Sequence, residues 1–226
     1  MTPDAGPPSG VRILFEDNHL LALAKPAGLL TQPSGTPCES LEERAKEYIR
    51  TSKGKRGNVF LHAVHRLDRV VSGVVLFART GKALSRLSEA QRERRFRKVY
   101  LALTDRRPPR PEGRLVHHLL HGNGRAEVSR AGEEGTRESV LSYQVIREKE
   151  GLFLLEIELH TGRYHQIRAQ LAAEGMPILG DRKYGGTVPF AGGAIALHHA
   201  LLEFDHPVGG APVRIESPLP SAWPVV

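Results

Sequence analysis

At 226 residues, with 40% hydrophobic and 25% charged side chains, the composition is that of an ordinary folded protein and excludes collagen-like, coiled-coil and wholly disordered architectures. Lys and Arg total 32 against 25 Asp and Glu, and the net charge of +7 favours a polyanionic partner through phosphate neutralisation and counterion release, although it also serves plain solubility. The lone Cys38 rules out an internal disulfide and a CxxC zinc site, and neither a signal peptide nor a run of ~18 apolar residues is found, so the chain reads as soluble and cytoplasmic.

Residues 1–10, with three prolines and two glycines, read as a disordered leader ahead of one domain over 11–226. Strands are expected over 11–15 and 20–24, on either side of a turn at Glu16-Asp17-Asn18. KPAG at 25–28 breaks that pattern. Ser40, with Glu43 three residues on, predicts a capping box that opens a helix from Leu41 to about Arg50. The run TSKGKRGN reads as an exposed basic loop, and GVVLFA at 73–78 as a short buried strand. Ala83, Leu87 and Ala90 recur at helical spacing between Gly81 and about Arg95. A strand follows at 99–103, then loops at 105–113 and 121–138 with short strand signals between and after them. Phe153 to Leu159 alternates cleanly, as a half-buried strand does. A helix is expected over 163–175, stopped by Gly175 and Pro177, with strands returning at 194–204 and 212–215. Strands outnumber helices and regular βαβ spacing is absent, which predicts the α+β class.

Three constellations could carry chemistry. In His65-Arg66-Leu67-Asp68-Arg69 the flanking arginines favour the ionised form of Asp68, which suits a nucleophile or base, while Arg66 and Arg69 could hold phosphates. A surface ion-pair loop would look the same. Arg92, Arg94, Arg95, Arg97 and Lys98 put five positive charges in seven residues just ahead of Tyr100, a pattern for single-stranded nucleic acid. The competing reading is a basic helix end with Tyr100 in the core. In TGRYHQIR, 161–168, a Thr-Gly turn opening a helix would leave backbone N–H groups free. Arg163 and His165 would project from the first turn, with Arg168 on the same side as His165, making an oxyanion or phosphate site of what could also be an ordinary capped helix.

The histidines His117, His118, His121, His198 and His199 lack metal-ligand spacing. His198 and His199, adjacent in an expected strand, point to opposite faces. The lone GNG at 122–124 lacks the flanking strand and helix of a dinucleotide site.

In this order, HRLDRVVSGVVLFA, RKVYLAL, TGRYHQIRAQL and GDRKYG, between ILFEDNHLLALAKPAGLL and LHHALLEFDHP, resemble the RluA family of pseudouridine synthases over roughly residues 11–220. The resemblance implies the pseudouridine synthase fold: a mixed, mainly antiparallel sheet with flanking helices and a central active-site cleft. It implies an isomerase that converts uridine in tRNA or rRNA to pseudouridine after flipping the base from its stack. By the motifs, Asp68 is implied to be the nucleophile, Arg66 to fill the gap left by the flipped nucleotide, Tyr100 to stack on the uracil and Arg168 to pair with the aspartate. His65, Arg69, Arg163, His165, Gln166 and Leu197 are expected at the substrate. The RNA backbone falls to Lys53, Lys55 and Arg56 and to Arg94, Arg95, Arg97 and Lys98. No cofactor, metal, membrane or obligate protein partner is implied, and the default state is a monomer.

The sequence departs from the family in three places. Val70-Val71-Ser72-Gly73 follow HRLDR where Asp-Thr-Ser-Gly is frequent, so a hydroxyl is missing from the active-site loop. His199 stands where the LHA pattern has a small residue. With Ile13 already in the first motif, no room is expected for a preceding S4 RNA-binding domain. Val70 and Val71 motivate a competing function, a non-catalytic RNA-binding or ribosome-assembly protein on the same scaffold. A hydrolase of nucleosides or phosphodiesters ranks last, because paired carboxylates and metal ligands are missing. Asp68, Tyr100 and Arg168 occurring together favour the isomerase.

Overall fold

The computed structural model describes residues 12–54 and 57–224. The leader expected at 1–10, and Lys55 and Arg56, lie outside the described residues. The chain forms two compact units, one of residues up to Phe96 with Leu201–Pro218, the other of Arg97–Ala200 with Leu219 onward.

The first unit opens with an antiparallel hairpin of β1 (Arg12–Glu16) and β2 (Leu20–Lys25). Asp17 folds the turn by accepting the N–H groups of His19 and Leu20 on Oδ1, each at 2.7 Å, as an Asx turn does. Helix α1 (Leu41–Lys53) begins with the expected capping box. The Glu43 N–H donates to Ser40 Oγ at 3.2 Å and the Ser40 N–H to Glu43 Oε2 at 2.9 Å. After β3 (His62–Ala63), strand β4 (Ser72–Ala78) is buried along its whole length and pairs antiparallel with β2. Helix α2 (Gly81–Arg92) lays Ala83, Leu87 and Ala90 on a core made with Leu20, Ala22, Val74 and Leu76. It stops short of the expected Arg95 because Arg94 turns left-handed, at φ 58°.

The second unit is an antiparallel array of β5 (Arg97–Thr104), β6 (Glu112–Gly122), β7 (Arg125–Ser129), β8 (Arg137–Lys149) and β9 (Leu152–Leu159). Its spatial order is β5-β9-β8-β6-β7. The stretch 121–138, expected as loop, contains all of β7. Asn123 and Gly124, both at positive φ (46° and 69°), make the two-residue turn between β6 and β7. An Asn-Gly pair is the favoured sequence for such a turn, and that is the meaning of GNG. Helix α3 (Gln166–Ala173) starts three residues later than expected, because His165 before it takes a left-handed φ of 50°. Past a short 3-10 turn at Arg182–Tyr184 comes β10 (Leu197–Asp205), whose Leu201–Asp205 portion pairs antiparallel with β11 (Pro212–Glu216) in the first unit.

Three α-helices among eleven strands, mostly paired antiparallel, give the α+β class among the described residues. No helix of the described residues is long and apolar enough to cross a membrane. Ser40→Ala removes a fully buried cap and its return bond. It is expected to lower stability by about 1–2 kcal/mol, read as a fall in the urea midpoint with an unchanged slope.

Candidate active site

Asp68 is half-buried in the loop between β3 and β4, and backbone bonds from two directions hold it there. The Val71 N–H donates to Asp68 O at 3.0 Å, closing a tight turn. That bond needs no hydroxyl, so the Val70-Val71 pair closes the loop through its backbone while Val71 is buried. From the other side, the Gly28 N–H donates to Arg69 O at 2.7 Å. Thr31 Oγ1 donates to Leu67 O at 3.0 Å and accepts the Leu67 N–H at 3.1 Å.

At the end of β2, Lys25 is 1% exposed. Its Nζ donates to Pro26 O at 3.0 Å, Leu29 O at 2.7 Å and Arg69 O at 3.2 Å. Burial pushes this ammonium down to about 7, against the opposing pull of the Asp68 carboxylate nearby. Lys25 had no role in the sequence reading. A charge embedded in the apolar run HLLALAKPAGLL was the available signal.

The other residues of this unit are placed as follows. His65 was expected at the substrate, but it is buried and its Nε2 accepts the Leu76 N–H of β4 at 3.3 Å, so the ring supports the loop's entry. Arg66 and Arg69 are exposed on either side of Leu67 and Asp68. Lys53 ends α1, with Nζ 3.6 Å from Glu16. Arg94 and Arg95 are exposed, and Arg95 Nε donates to Glu93 at 2.7 Å.

In the second unit, Tyr100 lies in β5 opposite Ile157 of β9, 6% exposed, with its ring stacked on His199. Arg168 of α3 is buried, and its Nε and Nη2 donate to Asp181 Oδ2 and Oδ1 at 2.7 and 2.8 Å. This fork-on-carboxylate geometry is the strong form of an ion pair. Asp181 belongs to GDRKYG, whose following Gly186 is required: a Cβ there would lie 2.5 Å from Ile178 O and 3.0 Å from the Asp181 nitrogen. Tyr184 of the same segment accepts the Ala126 N–H on its hydroxyl at 2.8 Å and shares a bond with His165 Nδ1 at 3.0 Å. The Arg125 and Arg168 guanidiniums lie 4.9 and 5.0 Å from its ring centre, a cation–π pair. His165 and Arg168 thus meet on Tyr184. Neither Asp181 nor Tyr184 was singled out from the sequence.

The TGR turn differs from expectation. Arg163 and His165 precede α3 instead of projecting from its first turn, and the Arg163 N–H is taken by Gln166 Oε1 at 3.0 Å. Gln166, expected at the substrate, is a buried tie: it accepts from Thr161 Oγ1 at 2.8 Å and donates to Val140 O at 3.1 Å and Gln170 Oε1 at 2.9 Å. Arg163 is exposed, and Leu197 is buried at the start of β10. Arg97 is exposed, with Nε donating to Glu158 at 3.1 Å. Lys98, expected along the RNA backbone with the arginines, is instead buried within β5, and that burial lowers its ammonium to about 8. Among the described residues no three His, Cys, Asp or Glu side chains gather to hold a metal ion.

A braced, half-buried carboxylate beside an ammonium can serve as nucleophile or base. The family model for RNA pseudouridylate synthase matches residues 19–173, a span that includes this loop, β5 and α3. The chain belongs to the RNA pseudouridylate synthase family. A ribosomal large subunit pseudouridine synthase D of Xylella fastidiosa is 33% identical over 92% of this chain, which spans 66%, just under two thirds, of that relative's length. An uncharacterized RNA pseudouridine synthase of Bacillus subtilis is 32% identical over 92% of the chain and 68% of its own length. The solved human RNA pseudouridylate synthase domain containing 4 superposes with a TM-score of 0.78 over 93% of this chain and 89% of that one, at 23% identity, which establishes the pseudouridine synthase fold.

Two predictions follow from the bracing groups. With Lys25 near 7 in the folded chain against an ordinary 10.5, the unfolded chain binds the extra proton between those values. Wild-type stability therefore gains from this group as pH rises through that window, and urea unfolding should show wild type gaining on Lys25→Met between pH 7 and about 9. Asp181→Ala removes the carboxylate that takes both prongs of the buried Arg168 guanidinium, for an expected loss of about 3–5 kcal/mol in the same assay.

Proposed function

We propose that this chain isomerises uridine to pseudouridine in RNA, with Asp68 as its nucleophile. The observation that carries the reading is the HRLD aspartate itself: a half-buried carboxylate on a loop braced by Lys25, Gly28 and Thr31, in a member of this family. The reaction breaks N1–C1′, turns the base and joins C5 to C1′, while C5 gives up a proton and N1 takes one. No atom or electron is gained or lost overall, so protein and RNA groups suffice and no cofactor is required. An ionised Asp68 acts on the sugar or the base of a flipped-out uridine.

The remaining roles follow the family's motifs. Tyr100 offers an aromatic ring to the uracil, Arg168 supplies positive charge to the aspartate's chemistry, and Arg66 occupies the gap in the RNA stack. Arg69, Arg163 and the exposed basic side chains of Lys53, Arg94, Arg95 and Arg97 meet phosphates. The names of the relatives make large-subunit rRNA the first substrate pool to try and tRNA the second. The protein works in this reading as a cytoplasmic monomer.

Tritium release from RNA labelled at uracil C5 tests the proposal, because forming the new bond expels that hydrogen. Wild type is expected to release tritium from at least one pool. Asp68→Ala should release none while remaining folded and keeping its RNA affinity. Release by Asp68→Ala would remove Asp68 from the mechanism. Silence of the wild type on both pools, with RNA binding intact, would overturn the isomerase.

A further inference from the structure

His199 departs from the LHA pattern, and its ring has a definite place in the second unit. β5 and β10 are neighbouring strands there, and successive residues of β10 face opposite ways. His198 turns edge-on to Trp223, with ring centres 6.2 Å apart at 72°. His199 lies flat on Tyr100, with ring centres 4.5 Å apart at 15°. His199 is 0% exposed and Tyr100 6%.

A parallel ring at van der Waals distance restrains the plane of its neighbour. A small residue at position 199 would withdraw that support from Tyr100. The imidazole also covers one face of the phenol, so a nucleobase can stack only on the other. We infer that His199 is a positioning residue for isomerisation, holding the plane of Tyr100 so that its opposite face presents one fixed orientation to the uracil. The inference rests on the function proposed above. The base must turn over while it stays aligned with C1′, and a loose stacking plane forfeits that alignment. RNA affinity, governed chiefly by phosphate contacts, has little dependence on it. The effect therefore belongs in kcat.

The test compares wild type, His199→Phe and His199→Leu as full-length chains in the tritium assay, with KM, RNA affinity and unfolding midpoints measured alongside. Phenylalanine keeps a flat ring, whereas leucine fills much of the space without one. The Phe variant should stay within about twofold of wild type in kcat, and the Leu variant should fall about tenfold, the scale of one lost aromatic pair, with KM and RNA affinity unchanged. If either variant fails to fold, His199→Tyr and His199→Met supply a second flat and non-flat pair. Equal kcat in the flat and non-flat variants, whether high or low, or a loss confined to KM, overturns the inference alone. Wild-type inactivity on every RNA overturns the proposed function and this inference with it.

Discussion

The loop that carries Asp68 is built around an ammonium withdrawn from water. An isolated buried Lys25 would be severely unfavourable, and three backbone carbonyls together with the Asp68 charge offset that penalty. Two of those carbonyls belong to the KPAG turn and its continuation at Leu29, and the third belongs to Arg69. The turn brings them inward because Gly28 adopts φ 92°, which a side chain would oppose. KPAG and HRLDR are therefore mutually dependent although some 40 residues separate them: the separation from Lys25 to Arg69 is 44. The position of the carboxylate is inherited from the end of β2.

The second unit solves a comparable problem with side chains. Helix α3 is buried from Gln166 to Leu171, polar residues included, so each of those polar groups needs a partner. Asp181 takes the Arg168 guanidinium, and Gln170 donates to Ser139 O and Leu115 O at 3.1 and 3.3 Å. Tyr184 joins the guanidinium to His165. A buried helix held in this way is stiff, as the role proposed for Arg168 requires.

How much of this was legible depended on where each residue finds its partners. α1 and α2 bury one face each, so α1 could be read from its Ser40–Glu43 capping box and α2 from the period of Ala83, Leu87 and Ala90. α3 was misplaced because an all-round buried helix has no periodic stripe and because the left-handed His165 precludes an earlier start. β7 was hidden because GNG was weighed only as a dinucleotide site and rejected, while its Asn-Gly hairpin turn went unread. The residues expected to touch substrate stood out as motifs, Asp68 and Arg168 above all. Their supports did not, since Lys25 bonds to carbonyls, which every sequence has, and Asp181 meets Arg168 only through a loop closed by Gly186. His65 and Gln166, also motif residues, serve the fold as well: His65 accepts the Leu76 N–H and Gln166 donates to Val140 O.

The first unit also has a history during synthesis. Its core combines Leu20, Ala22, Val74 and Leu76 with Leu202, Phe204 and Ile215, so residues made before the second unit share a core with residues made after most of it. A chain emerging from the ribosome in order can assemble the β5-β9-β8-β6-β7 array before that core has its last members. The segment bearing Asp68 is translated before the whole second unit, yet the hydrophobic core of its own unit is completed only after residue 215 has appeared. Late closure of this kind leaves apolar strands of the nascent first unit without their last core partners until Ile215 is made, the kind of transiently exposed surface that is prone to aggregate.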